Sequence, residues 1–301
     1  MYYLNKICYT ISKKGGIILQ KFEIKDHAPS ILPDGEWNLV WADEFDGTEL
    51  DMAKWDYRLH IWGKRFPTWS DEGVYLDGKS NAVFKIFEKD GEICSSQLQT
   101  GYNWIDSPHT EDALFGNVDE TEDPGLVWPI GKLQEPKFAH RYGYYECRCK
   151  LPQHDGWWAA FWMQSPVIGS SLNPAISGVE TDIMEAFKPN TVAGHALHYN
   201  GYGIDHMCKI AGEGKGLTPN EYHSFGMLWE PDGYTFFIDG MQDGEKITEP
   251  VSHIQQFIIL STEARGYRSA THTASSEARA AADAEDVFIV DYVRVFDKIT
   301  K

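Results

Sequence analysis

Residues 178–187 read Gly178-Val-Glu-Thr-Asp-Ile-Met-Glu-Ala-Phe187. The apolar and β-branched members suit a strand, yet three carboxylates, Glu180, Asp182 and Glu185, are threaded through it. Side chains alternate between faces along a strand. Glu180 and Asp182 therefore share a face, and Glu185, at an odd offset, points the other way. One extra residue, a β-bulge, returns Glu185 to the face of its partners. The two glutamates are then about four strand residues apart, roughly 13 Å at the Cα atoms. Long side chains leaning together can close that gap to about 5–5.5 Å between carboxyl groups, the spacing needed when one carboxylate attacks an anomeric carbon and the other handles the proton. Clustered like charges also drive pKa values apart, which separates an acid from a nucleophile. In isolation the same pattern reads as an acidic, solvated strand edge, so its weight depends on the rest of the chain.

Working outward, short alternating or apolar runs recur between Gly, Asp, Asn and Pro signals. Examples are Asn81–Glu88, Gly143–Leu151, Gly156–Met163, His195–Tyr199, Tyr222–Trp229, Tyr234–Asp239, Gln256–Thr262 and Val287–Phe296. Many short strands with this punctuation predict an all-β sandwich or barrel. Residues 1–30 read as an amino-terminal extension and 31–301 as one catalytic domain; the domain's first strong signal is Trp37-Asn-Leu-Val-Trp-Ala-Asp-Glu-Phe45. Residues 105–140, rich in Asp, Glu and Pro, read as a long surface loop. Ala270–Asp286 reads as a short helix or a loop.

At 301 residues the chain can bury a large single core, and its net charge of −18 disfavours nucleic acid and anionic membranes as partners. No apolar run reaches the ~20 residues of a membrane span. The first residues lack the pattern of a secretion leader, so the chain as it stands reads as cytoplasmic unless a leader precedes it. Five cysteines leave at least one unpaired. Cys147 and Cys149 fall on one strand face with Tyr145 and Leu151, as small buried side chains.

Gly156-Trp-Trp-Ala-Ala-Phe-Trp-Met163 carries the second constellation. Alternation puts Trp158, Ala160 and Trp162 on one face, a flat apolar platform with N–H donors suited to stacking sugar rings. Trp157, Ala159, Phe161 and Met163 take the other, core face. His195 and His198 are three apart and face opposite ways on a strand, which argues against a shared metal site; His198 is expected at the cleft. Asp291 shares the face of Val287, Ile289, Val293 and Val295, so its carboxylate needs a partner. A hydrogen bond is the simplest, and a structural calcium shared with Glu44 is the alternative. No other cofactor is called for.

These residues resemble glycoside hydrolase family 16, the concanavalin A-like jelly rolls that include laminarinases, lichenases, agarases, porphyranases and carrageenases. The likeness runs from about Trp37 to Phe296. Besides Glu180–Glu185 it rests on Trp37–Gly47 with Leu50–Trp55, Tyr142–Pro152 leading into Trp158–Trp162, Tyr222–Asp232 with Phe237–Gly240, and Val290–Val295. The resemblance implies a two-sheet β-sandwich jelly roll. It implies Glu180 as nucleophile, Glu185 as acid/base and Asp182 as the residue that tunes Glu180. Trp158 and Trp162 would line the cleavage subsite, with His198 close by.

Two departures bear on substrate. Phe257-Ile-Ile-Leu-Ser-Thr-Glu263 replaces the Leu-Asn-Leu-Ala-Val-Gly-Gly of β-1,3-glucanases. Residues 57–77, with Arg58, Trp62, Lys64, Arg65 and Trp69, suggest basic and aromatic subsites for an acidic galactan. The expectation is a retaining endo-glycosidase of β-1,3 or mixed-linkage glucan. The alternatives are an endo-β-galactanase on agar, porphyran, carrageenan or host glycans, a transglycosylase, and a lectin-like binding module on the same fold. The partner is a poly- or oligosaccharide, and the sequence gives no basis for an oligomeric state.

Overall fold

The structure, a computed structural model, describes residues 9–14, 17–61, 63–106, 132–188, 191–212, 214, 217–266 and 273–299. Two antiparallel sheets dominate it. One orders its strands Met207–Gly212, Thr191–Tyr199, Glu180–Lys188, Trp157–Gln164, Phe257–Ala264, Gln97–Gln99 and Asp56–Tyr57. The other orders Met241–Ile247, Gly233–Ile238, His223–Glu230, Gly143–Lys150, Val287–Lys298, Ala82–Lys85 and Val74–Leu76, with Trp37–Asp43 also paired to Val287–Lys298. This is the expected sandwich, with the expected strands.

The core lies between the sheets. The Trp157–Gln164 strand sends Trp157, Ala159, Phe161 and Met163 inward, as alternation requires. They join Tyr145, Cys147, Cys149, Met227, Phe236, Val293 and Val295 from the second sheet. Cys147 and Cys149 are both fully buried and free. Trp158, Ala160 and Trp162 are left on the opposite, outward face. Gly156, at φ +101°, starts this strand beneath the Ser276–Asp283 helix, and a Cβ there would come within 2.3 Å of the Ala278 amide. Only glycine allows that approach.

The amino-terminal segment is built into the molecule. Tyr9–Lys14, Ile17–Phe22 and Ser30–Leu32 form a small sheet, and Phe22 meets Phe296 edge-on at 5.1 Å. Beneath it Glu146 is fully buried, accepting from the Ile31 amide at 3.0 Å and the Tyr292 hydroxyl at 3.2 Å. Burial pushes its carboxyl up to about 7, against the pull of these bonds and of Arg294.

Asp291 corrects the face expected for it. Arg148 pairs with Tyr292 and Cys149 with Val290, so Asp291 is the extra residue of a bulge. The bulge reverses parity: Val293 and Val295 enter the core while Asp291 stays half-buried outside it. There it binds Arg148. Glu44 instead takes a two-pronged grip on Arg294, at 2.8 and 2.7 Å. Glu44 and Asp291 are therefore not brought together, and each carboxylate already has a cation. The helix of the 270–286 region spans Ser276–Asp283. Most of the 105–140 segment lies outside the described residues.

Candidate active site

The site is a cleft on the outward face of the first sheet. Its key feature is a register shift in the Glu180–Lys188 strand. Trp162 pairs with Asp182 but Phe161 with Met184, leaving Ile183 unmatched. On the other side Asp182 pairs with Ala196 and Glu185 with Gly194. This is the bulge expected from the sequence. Ile183 and Met184 both enter the core, and Glu180, Asp182 and Glu185 all line one cleft.

The pairing sets each neighbour. Glu185 lies beside Ala160, which lies beside Ser261, while Gly194 is its partner on the far side. These small residues leave open space beside the Glu185 carboxyl group. Trp158 donates its indole N–H to Glu185 Oε1 at 2.9 Å. Trp162 donates to Ser261 Oγ at 2.9 Å. The platform is thus tied to Glu185 through Trp158 and to the neighbouring strand through Trp162. Glu180 faces His198 across the ladder, and His198 Nε2 stands 3.5 Å from Asp182 Oδ2. His198 Nδ1 is 2.8 Å from His206 Nε2, with the two rings stacked. Burial holds the His198 pKa below its ordinary value, although Glu180 pulls it up. Oxygens of Glu180 and Asp182 and a ring nitrogen of His198 lie within 4.8 Å of one another, a set that could accept a divalent ion.

Glu180 Oε2 accepts from Gln164 Nε2 at 3.1 Å and from the Tyr202 hydroxyl. Gln164, 2% exposed, has its amide oriented by a donor from Asn103. Sequence reasoning missed Gln164, Tyr202, Asn103 and Asp106. Gln164 continues the even-numbered face of Trp158, Ala160 and Trp162, so parity alone would have found it. The other three come from loops, where no periodicity points the way.

Arg58 is buried among the walls. Its guanidinium lies 4.8 Å from the Trp69 ring centroid and 5.3 Å from that of Trp162. It gives Nε to Asp106 at 2.7 Å and Nη1 to Gln97 at 2.8 Å, and Gln97 donates to Glu263 at 3.1 Å. Glu263, the departure noted in the sequence, sits directly opposite Trp158 and lines the cleft. Lys64 and Arg65 are exposed and are not among the lining residues. Trp62 lies outside the described residues. His195, by contrast, turns away from the cleft: it is fully buried, donates Nδ1–H to the Ile183 carbonyl at 2.6 Å and stacks on Phe236 at 4.5 Å.

Comparison with known proteins agrees with this geometry. A family model described as Glycosyl hydrolases family 16 matches residues 128–257. The chain is 29% identical over 215 residues to glucan endo-1,3-beta-glucosidase A1 of Niallia circulans, covering 67% of this chain and 28% of that protein. It is 25% identical over 281 residues to a beta-glucanase of Rhodothermus marinus, covering 86% of this chain and 85% of that one. The solved structure of the laminarinase from Rhodothermus marinus superposes with a TM-score of 0.61 at 22% identity, covering 88% of this chain and 99% of that one. The chain thus spans less than a third of the first relative and most of the second.

Proposed function

This chain belongs to glycosyl hydrolase family 16, and on that footing we propose that it is a retaining endo-glycosidase that cleaves internal β-1,3 or mixed β-1,3/1,4 links of a neutral glucan. The observation that carries the proposal is the Ile183 bulge, which turns Glu180 and Glu185 onto one cleft face beside a tryptophan platform. Glu180 attacks the anomeric carbon while Glu185 protonates the departing oxygen. Water, deprotonated by Glu185, then releases the glycosyl-enzyme with net retention. Trp158 orients Glu185, and Trp158 and Trp162 offer rings for sugar stacking. The names of the two glucan-degrading relatives support the choice of glucan.

Cleft charge supports a neutral polymer. Among the described residues Asp106, Glu180, Asp182, Glu185 and Glu263 line it, against one permanent cation, Arg58, which is already paired with Asp106. A sulfated chain would meet uncompensated carboxylates. Arg58 lines the cleft with its guanidinium committed to Asp106 and Gln97, and Lys64 and Arg65 stand outside the lining. One observation favours a second reading, a neutral galactan. Glu263 stands where β-1,3-glucanases carry glycine, adding an acceptor for a sugar hydroxyl.

The test is reducing-end release from laminarin, mixed-linkage glucan, agarose, porphyran and carrageenan by wild type and Glu180→Gln. Turnover of a neutral polymer by wild type alone supports the proposal. Binding without turnover by both proteins would make the chain a lectin-like module instead.

A further inference from the structure

The proposed nucleophile is not free to attack with either oxygen. Glu180 Oε2 accepts from Gln164 Nε2 at 3.1 Å and from the Tyr202 hydroxyl, and Tyr202 in turn accepts from Gln164. No described residue donates a hydrogen bond to Oε1. A carboxylate oxygen carrying two donors is the poorer nucleophile, so the arrangement selects Oε1.

Tyr202 is held for this contact. Asn200 and Gly201 take φ of +63° and +70°, reversing the chain after the Thr191–Tyr199 strand and bringing Tyr202 back over the cleft. Its ring packs against Trp104, Ile105 and Ile168. Burial and the adjacent Glu180 charge keep its hydroxyl protonated well above the ordinary range, so it stays a donor at every working pH.

We infer that Tyr202 is a catalytic residue, fixing Oε2 so that Oε1 attacks and then supporting the carboxylate as it departs. The inference rests on Glu180 as nucleophile. In the first step the Oε1–C1 bond forms, the bond from C1 to the glycosidic oxygen breaks, and Glu185 gives that oxygen its proton. Negative charge on Glu180 is consumed, and Oε2 becomes the ester carbonyl. In the second step Glu185 takes a proton from water, the water oxygen bonds to C1, and the C1–Oε1 pair returns to Glu180. Tyr202 keeps its proton throughout. Its hydrogen bond weakens at the neutral ester and strengthens again as charge returns, so it favours the second step over the first.

The test is Tyr202→Phe, which keeps the ring and removes the donor. With an aryl β-oligoglycoside of the cleaved polymer's sugar, kcat should fall about tenfold to a hundredfold, the size of a lost charge-assisted hydrogen bond. KM should fall with it, a product burst should appear, and intact-mass spectrometry should show glycosyl-enzyme accumulating. A merely structural role would lower kcat with no burst and no covalent species. If Tyr202→Phe does not fold, Gln164→Met, which removes the other donor, should show the same burst. Wild-type kcat and KM with no burst in Tyr202→Phe, alongside an inactive Glu180→Gln, would overturn the role of Tyr202 alone. Wild-type turnover by Glu180→Gln would instead overturn the nucleophile beneath it.

Discussion

Replacing His195 with phenylalanine should loosen the catalytic bulge without emptying the space beside it. The extra residue of a bulge has no ladder partner, and the buried Ile183 carbonyl is satisfied by His195 Nδ1–H at 2.6 Å. His195 Nε2 stands 3.3 Å from Asp243 Oδ2 on the Met241–Ile247 strand, so the side chain also spans the two sheets. A phenyl ring keeps the stack on Phe236, at 4.5 Å and 10° in the native pair, and removes the donor to Ile183 together with the Nε2 contact to Asp243. An orphaned buried carbonyl costs about 1–3 kcal/mol, a fall of roughly 2–10 °C in thermal midpoint for a domain of this size. His195→Ala should cost about 1 kcal/mol more again, because the stack is lost as well. Activity should drop about tenfold, since the bulge sets the face on which Glu185 stands. The assays are urea unfolding and initial rates on the cleaved polymer.

The pH dependence of that stability is a second handle on the same residue. Burial holds the His195 pKa below 6.5 in the fold, against the pull of the Ile183 carbonyl and Asp243. The unfolded chain therefore takes up this proton first. The contribution is full above about pH 6.5 and is lost as pH falls below it. His195→Phe should flatten that acid limb. Stability within ~0.5 kcal/mol of wild type, with unchanged rate, would refute the argument that the His195 bond holds the bulge.

Two other outcomes follow from the same contacts. Trp158→Phe keeps an aromatic face but removes the donor to Glu185 Oε1, so kcat should fall about tenfold with little change in KM, as initial-rate kinetics would show. Glu146 has its carboxyl raised to about 7 in the fold from 4.5, so its effect runs opposite to that of His195: the unfolded chain ionises first, and stability is lost as pH rises from about 4.5 to 7. Glu146→Gln should remove roughly 3 kcal/mol of that slope, read from thermal midpoints between pH 4.5 and 8.

Much of this was legible because strand parity is a strict rule. It put Trp158 and Trp162 on the outer face and Trp157 and Phe161 in the core. The odd spacing of Glu185 itself demanded the bulge at Ile183. Parity failed at Asp291 because a second bulge, with no odd charge spacing to betray it, reversed the face of everything beyond. The surroundings of Arg58 were not legible: its charge is visible in the sequence, but Asp106, which pairs with it, lies 48 positions away in a loop. Tyr202 escaped for the same reason. An Asn-Gly turn announces that the chain reverses, not what the next side chain will touch.

The central claim is that Glu180 forms a covalent bond to the sugar. The most direct measurement is trapping with a 2-deoxy-2-fluoro aryl glycoside of the cleaved polymer, followed by peptide mass spectrometry. The expected result is a single adduct on the peptide carrying Glu180, absent in Glu180→Gln. An adduct on Asp182 or Glu185 in place of Glu180, or inactivation that leaves no adduct, would contradict it.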